Sequence, residues 1–269
     1  MPAATEPITT HAVHSLALPV DNAPGGPVGV LLIFAVFAAI AGLSAWYAHR
    51  QREKRRLALL QLAQRLGLSF HPGYDTSHDE VYAHFEIFRR GFDRRAYNTM
   101  SGALPVLGRD FPCKLGDFTY KTREGSGKNR RTVTHRFSYL ICHLPFHGVP
   151  NVLIRREGVF DKLAGVFGMD DIDFESAEFS RAFHVKSPDK KFAYDLCHQR
   201  MIEFLMRTSP PAIDMEHGRI CLSDGSRQWH PAQFEGLITW LHDYLELWPD
   251  FLLKQLDRET QQPAGRGWA

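Results

Sequence analysis

Three carboxylates at alternate positions form the stretch of this sequence that most resembles a chemical site. They are Asp171, Asp173 and Glu175, and the residues between them, Ile172 and Phe174, are apolar. Successive side chains of a strand point to opposite faces, so a strand over these residues would gather the three carboxylates on one face. Such a group could hold Mg²⁺ or Ca²⁺, or raise the pKa of one member for acid and base catalysis. The stretch therefore suggests a divalent-metal-dependent hydrolase.

A second interpretation of this stretch is an exposed acidic edge that forms salt bridges with Arg181 or a nearby Lys. The sequence pattern supplies the carboxylates with no partnering His, no nucleophile elbow and no second acidic motif. We therefore assign Asp171, Asp173, Glu175 and Arg181 to a protein partner of unknown identity. We predict no catalytic residue, no metal and no cofactor, and the hydrolase remains the alternative.

Two other motifs do not have the spacing that their chemistry needs. The segment GSGKN, residues 125–129, contains a P-loop-like Gly-Lys pair, but a P-loop has Gly at position 122 and Ser or Thr at position 129, where this chain has Thr and Asn. The segment CHLPFH at 142–147 offers one Cys and two His, without the second ligand pair of a zinc site. We predict a flexible hairpin tip for the first segment and no metal for the second.

The apolar run from 27 to 47 is long enough to cross a membrane. No Lys, Arg, Asp or Glu occurs between Asp21 and Arg50, and a bilayer core needs roughly 20 helical residues. Trp46 and Tyr47 lie at the end of the run, where aromatic side chains favour the headgroup layer. We predict a single transmembrane helix.

Five cations follow this helix, and cationic segments stay on the cytoplasmic side. They are Arg50, Arg52, Lys54, Arg55 and Arg56. We predict a single-pass protein of the bacterial inner membrane, with its N-terminus outside and its C-terminal domain cytoplasmic. A cleaved signal peptide, with Ala39-Ile40-Ala41 as the processing site, is the competing interpretation. It is disfavoured because residues 1–25 contain no Lys or Arg.

The charge is distributed unevenly along the chain. Residues 50–156 contain 20 Lys and Arg against 9 Asp and Glu, whereas residues 157–269 contain 12 against 19. Anionic headgroups attract a basic segment next to a span, so we predict contact with the lipid bilayer. The predicted contact residues are the five cations after the span together with Arg123, Lys128, Arg130 and Arg131. Nucleic acid is not predicted as a partner, because no DNA- or RNA-binding module is recognisable.

The remaining pattern predicts an α+β protein, with a mixed antiparallel sheet and helices after the span. Strand signals occupy LSF, HFEIF, KLGDFTYKT, TVTHRFSYLICHLP and VPNVLIRRE, and a hairpin turns at His217-Gly218. Helix signals occupy 157–168, 187–208 with Ser187 as N-cap, and 230–248. The predicted segments are a disordered tail (1–26), the span (27–48), a basic helix (49–67), the cytoplasmic domain (68–256) and a C-terminal tail (257–269). Whether that domain is one core or two lobes stays open, and its four cysteines are expected to be buried free thiols.

Several motifs follow one another in a recognisable order: FEIFRRGFDRRAYN, GDFTYKTREGSGKN, DIDFESAEFSRAFHVKSPDKKFAYDL and MIEFL. With the span and the basic helix before them, they resemble a family of uncharacterised single-span bacterial membrane proteins, found notably among planctomycetes and similar to domain-of-unknown-function proteins. The resemblance covers about residues 28–250 and is most specific over 171–205. It implies an anchored topology and a mixed fold, and it transfers no catalytic residue.

Overall fold

Helix α1, Pro27–Arg65, is the first element in a computed structural model that describes residues 27–146, 148–157 and 171–261. The chain divides into two units, Met1–Glu53 and Lys54–Ala269. In the first unit the apolar side chains of α1 are exposed, with Leu31 and Phe34 each 68% exposed. Within the described ranges, α1 is the helix that is long and apolar enough to cross a membrane. This supports the predicted anchor.

The last turns of α1 are part of the folded second unit. Leu59, Leu62 and Ala63 are fully buried there, in the larger of two apolar cores. The second unit therefore begins at Lys54, within the helix, and not after residue 67 as the sequence pattern predicted. The predicted tail at 1–26 lies outside the described residues.

Among the described residues, eight strands form one antiparallel sheet in the order β1-β2-β3-β4-β8-β7-β5-β6. Their bounds are β1 Ser69–His71, β2 Phe92–Val106, β3 Arg109–Glu124, β4 Arg131–His143, β5 Val152–Arg156, β6 Phe183–Lys186, β7 Ile213–Glu216 and β8 Arg219–Leu222. With the helices, this sheet confirms the predicted α+β fold. Because β4 pairs with β8, the two halves of the soluble region share one sheet and are not separate lobes.

Helices cover the two faces of the sheet unequally. The other helices are α2 His78–Val81, α3 Ala177–Ala182, α4 Lys190–Leu196, α5 Gln199–Thr208, α6 Pro231–Glu246 and α7 Asp250–Gln261, with 3₁₀ turns at Glu86–Arg89 and Gly127–Asn129. Buried residues of α1 and α3–α7 pack on one face, which we call the helix face. The short α2 and the first 3₁₀ turn pack on the other, which we call the opposite face.

The local hairpins agree with the sequence. The two strongest strand signals are β3 and β4, which pair from Cys113–Cys142 to Glu124–Arg131 around the predicted hairpin tip. β7 and β8 turn at His217 and Gly218, whose φ angles are +51° and +68°. Two positive φ angles are the signature of a type I′ turn, which matches the twist of the flanking strands.

Three predicted elements differ from the structure. HFEIF is a 3₁₀ turn and not a strand, and its Phe85 and Phe88 are buried against the opposite face. The predicted helix over 187–208 is two helices, because the chain turns at His198, whose Nε2 lies 2.9 Å from the Leu247 carbonyl oxygen. The N-cap of α4 is Asp189, which accepts from the Phe192 N–H, whereas Ser187 donates to the Asn151 carbonyl oxygen.

The end of the chain is more ordered than predicted. A further helix, α7, runs to Gln261, and its Leu252 and Leu256 are buried, so residues 257–261 are not a tail. The predicted helix over 157–168 lies outside the described residues from 158 onward.

Candidate functional site

The acidic stretch 171–175 is extended chain, and its prediction as a strand is wrong. The Ile172 N–H donates to the Val185 carbonyl oxygen of β6, but no ladder of such bonds forms in the described part of the stretch. The alternation is present nevertheless: Asp171, Asp173 and Glu175 are exposed, and Ile172 is buried. The stretch therefore lies along β6 with its carboxylates in solvent.

Asp171 contacts two basic side chains of β6. Its Oδ2 lies 2.9 Å from His184 Nδ1, and its Oδ1 lies 3.5 Å from Lys186 Nζ. His184 was not predicted as a partner, although the alternation of FHVK places His184 and Lys186 on one face of a strand. The predicted partner Arg181 instead donates its Nε–H to the Ala177 carbonyl oxygen of its own helix.

These contacts do not favour a metal at the acidic stretch. Within the described ranges, the residues whose ligand atoms come together are His242, Asp243 and Glu246 on α6. This group is one turn of a surface helix, and exposed acidic groups of this kind are common without an ion. The four cysteines are buried free thiols, as predicted.

One of the predicted membrane-contact residues is instead part of the folded domain. Arg55 donates from Nε and Nη2 to the two carboxylate oxygens of Asp117, at 2.8 and 2.6 Å. Asp117 is fully buried and also accepts from Asn98 and from the Ser138 hydroxyl. Arg55 Nη1 donates to the Trp229 carbonyl oxygen. The Arg55 guanidinium therefore binds the sheet and is not available to lipid, which corrects that assignment.

Four other cations share a face of the sheet with Asp117. Because paired residues lie on the same face and alternate residues of a strand return to it, the register places Arg95, Lys121, Arg123 and Arg136 there. We call these four the proximal patch. Asp93 forms salt bridges with Arg95 and Lys121, and the Arg123 guanidinium stacks on the Phe92 ring at 5.1 Å. The patch is a basic and partly aromatic surface.

The direction of α1 within the second unit fixes the end at which this patch lies. Arg55 contacts Asp117 in the middle of β3, whereas Leu68, just past the end of α1, lies against Gly102, which pairs with Cys113. Along β3, α1 therefore runs from Asp117 toward Cys113. The start of the second unit points the other way, toward the turn between β3 and β4. That end carries the proximal patch and the exposed residues Arg130 and Arg131.

A pocket lies on the opposite face, between the first 3₁₀ turn and strands β5–β8. Its cavity volume is about 50 Å³, and Arg90, Arg155, Lys186, Glu86 and Asp214 line it. Burial raises the pKa of Asp214 well above its usual value, and the nearby carboxylates of Glu216 and Glu86 raise it further. Perturbed carboxyl groups in a cleft are typical of functional sites. No sequence pattern indicates this pocket, because its residues come from five separate segments.

Comparison with known proteins adds little about function. No protein-family model and no curated protein match this sequence. The chain is similar to a solved structure, the crystal structure of the mycobacterial trehalose monomycolate transport factor A, TtfA. The two are 15% identical, the match covers 74% of this chain and 97% of that one, and the TM-score is 0.47. This likeness carries no conclusion about function, and the resemblance to the single-span planctomycete family stays a prediction.

Proposed function

We propose that this protein is a membrane-anchored binding or scaffolding module of the bacterial inner membrane, with its folded unit in the cytoplasm. The apolar part of α1 is the anchor, and the cations that follow it hold the second unit on the cytoplasmic side. The proximal patch then contacts anionic headgroups. The position of that patch, at the end of the second unit at which its chain begins with Lys54, is the observation that carries the proposal.

The length of the connection supports contact with the bilayer. Seven residues separate Tyr47, at the end of the apolar run, from Arg55, which is already bonded to the sheet. Even fully extended, that many residues span only about 25 Å. Each Lys or Arg near an anionic surface contributes roughly 1 kcal/mol, and the attraction fades within about a Debye length. A basic surface at the end of the unit where Lys54 begins it is therefore within reach of the anionic headgroups that it would bind.

The acidic stretch is the proposed contact for a protein partner. Asp173 and Glu175 are exposed, and the Tyr194 hydroxyl donates to the Asp173 carbonyl oxygen, which holds the extended chain in place. A fixed, exposed acidic edge suits a basic partner. No contact among the described residues favours the hydrolase alternative over this role.

Liposome flotation of residues 50–269 tests the membrane contact. We expect this fragment to float with vesicles that contain phosphatidylglycerol at low salt. Changing both Arg123→Gln and Arg136→Gln should weaken binding at least tenfold, since two cations near the surface are lost. The matched control changes Arg200→Gln and Arg258→Gln on exposed positions of α5 and α7. Binding that persists in high salt, or that falls equally in the control, would contradict the proposal.

Thiol labelling in spheroplasts tests the orientation. The native cysteines are all buried, so Ser126→Cys at the exposed tip between β3 and β4 provides a single accessible thiol. We expect an impermeant maleimide to leave this thiol unlabelled in intact spheroplasts and to label it after lysis. Labelling of intact spheroplasts would place the folded unit outside the cytoplasm and reverse the topology.

A further inference from the structure

Three cationic side chains line the pocket on the opposite face, two from the sheet and one from the end of the first 3₁₀ turn. Leu153 of β5 pairs with Lys186 of β6 on one side and with Asp214 of β7 on the other, so the three side chains form a row across the sheet. Arg155, two residues along β5, shares their face. Leu153 thus forms an apolar floor, and Lys186 and Arg155 stand beside it.

The third cation reaches the pocket from the 3₁₀ turn above the sheet. Arg90 follows that turn, and its Nη1 would lie 2.9 Å from a Cβ placed on Gly225. Gly225 also has φ +64°, a conformation that L side chains rarely adopt. The loop after β8 thus depends on a glycine at the place where Arg90 and Ile87 approach it most closely.

Two carboxyl groups, Glu86 and Asp214, also line the pocket and affect which ligand it can bind. The pKa of Glu86 is raised by burial, and that of Asp214 is raised well above its usual value, so the low-dielectric site favours their neutral forms. A neutral carboxyl group donates one O–H hydrogen bond. Asp214 is a half-buried polar group that lines the cavity.

The size and charge of the cavity limit the ligand class. A water molecule needs about 10–15 Å³ of such space, so a cavity of about 50 Å³ accepts a group of a few heavy atoms. Three cations line the cavity, and one of them, Lys186, also lies 3.5 Å from Asp171 Oδ1. Guanidinium and ammonium groups together suit an oxyanion, whose oxygens accept from several donors at once.

We propose that this pocket binds a small oxyanion, an inorganic phosphate or the phosphate of a monoester, through Arg155, Lys186 and Arg90. This site is separate from the proximal patch, which lies on the other face of the sheet. The same phosphate chemistry is available from a soluble ester or from a lipid headgroup, and the experiment distinguishes the two.

The test is calorimetric titration of the full chain in uncharged sugar-detergent micelles with inorganic phosphate. We expect saturable binding, weakened at least tenfold by Arg155→Gln and also by Lys186→Gln. Arg155→Lys, which keeps the charge, should retain most of the affinity. The matched controls Arg200→Gln and Lys254→Gln, at exposed positions, should change it less than twofold. Melting temperatures of all variants establish that each is folded.

Two competition arms identify the source of the phosphate. Glycerol 3-phosphate in the buffer and phosphatidic acid in the micelles are each titrated against bound inorganic phosphate. The stronger competitor shows whether the site prefers a soluble phosphate ester or a lipid headgroup. The proposal is overturned if phosphate at millimolar concentration gives no saturable heat, if the controls lose as much affinity as Arg155→Gln, or if only one of the two neutral variants binds more weakly. The main titration needs no anionic lipid. A negative result there would therefore contradict the phosphate site without contradicting the membrane contact that flotation tests.

Discussion

Asp117→Ala should destabilise the second unit by about 3–5 kcal/mol, because it removes one partner of a buried ion pair and leaves the other charge without compensation. Asp117 is fully buried and accepts from Arg55, Asn98 and Ser138, so three donors lose their acceptor at once. Urea unfolding of residues 50–269 measures the change as a shift of the midpoint at constant slope.

A matched salt bridge on the same helix provides the control. Arg65 Nη2 lies 2.8 Å from Glu235 Oε1, but both side chains are largely exposed, at 54% and 41%. Glu235→Gln should therefore cost less than about 1 kcal/mol. The double change Arg55→Met with Asp117→Leu should recover part of the loss, since an apolar pair of similar volume needs no charge compensation. Equal effects of Asp117→Ala and Glu235→Gln would show that the Arg55 contact is not a structural anchor.

Arg55 also illustrates what the sequence could not provide. Its charge and its place after the apolar run assign it to the same basic cluster as its neighbours, and that cluster was predicted to bind lipid. The partner that removes Arg55 from the cluster is 62 residues away. No local pattern identifies such a pair, because a buried Asp in a strand is recognised only when the register of three strands is known.

The β7–β8 hairpin was predicted because its pairing is local, whereas β2, which also pairs locally with β3, was not. His217 and Gly218 form a tight turn, so the strands on either side, β7 and β8, are next to each other in sequence. In HFEIF the aromatic residues are compatible with a strand, but the buried Phe85 and Phe88 pack as a 3₁₀ turn against β3 and β4. That choice is decided by tertiary packing and not by intrinsic preference.

The candidate sites also combine features that the local sequence predicts with features that depend on tertiary contacts. The alternation of acidic and apolar residues at 171–175 correctly predicted which side chains are exposed. The contacts of Asp171 with His184 and Lys186 required β6 to be in place beside it. The pocket was beyond sequence reasoning altogether, since Arg90, Arg155 and Asp214 come together only when β5, β7 and the 3₁₀ turn meet on one face.

A histidine in the core of the opposite face should make the second unit sensitive to acid. His78 is fully buried among Tyr82, Phe88 and Tyr139, with ring centroids at 4.6–4.7 Å, and in the described structure neither ring nitrogen has a hydrogen-bond partner. Burial and, to a smaller extent, the positive charge of Lys114 lower the pKa of His78 from 6.5 to about 3. The native state therefore keeps the ring neutral at a pH where the unfolded chain protonates it.

The direction of the pH effect follows from proton binding. Between pH 6.5 and about 3 the unfolded state binds a proton at His78 that the native state does not, so acidification favours unfolding. Each pH unit below 6.5 lowers the free energy of unfolding by roughly 1.4 kcal/mol, or by about 2 kcal/mol between pH 6.5 and pH 5.

His78→Phe removes this loss and the two unpaired nitrogens, so it should stabilise the unit, and the gain over the native sequence should grow as the pH falls. Urea unfolding at pH 7 and pH 5 measures this difference directly. The exposed His71, changed to Gln, should leave the pH dependence as it is. Parallel profiles for His78→Phe and the native sequence would mean that the ring is protonated, or reached by water, inside the core.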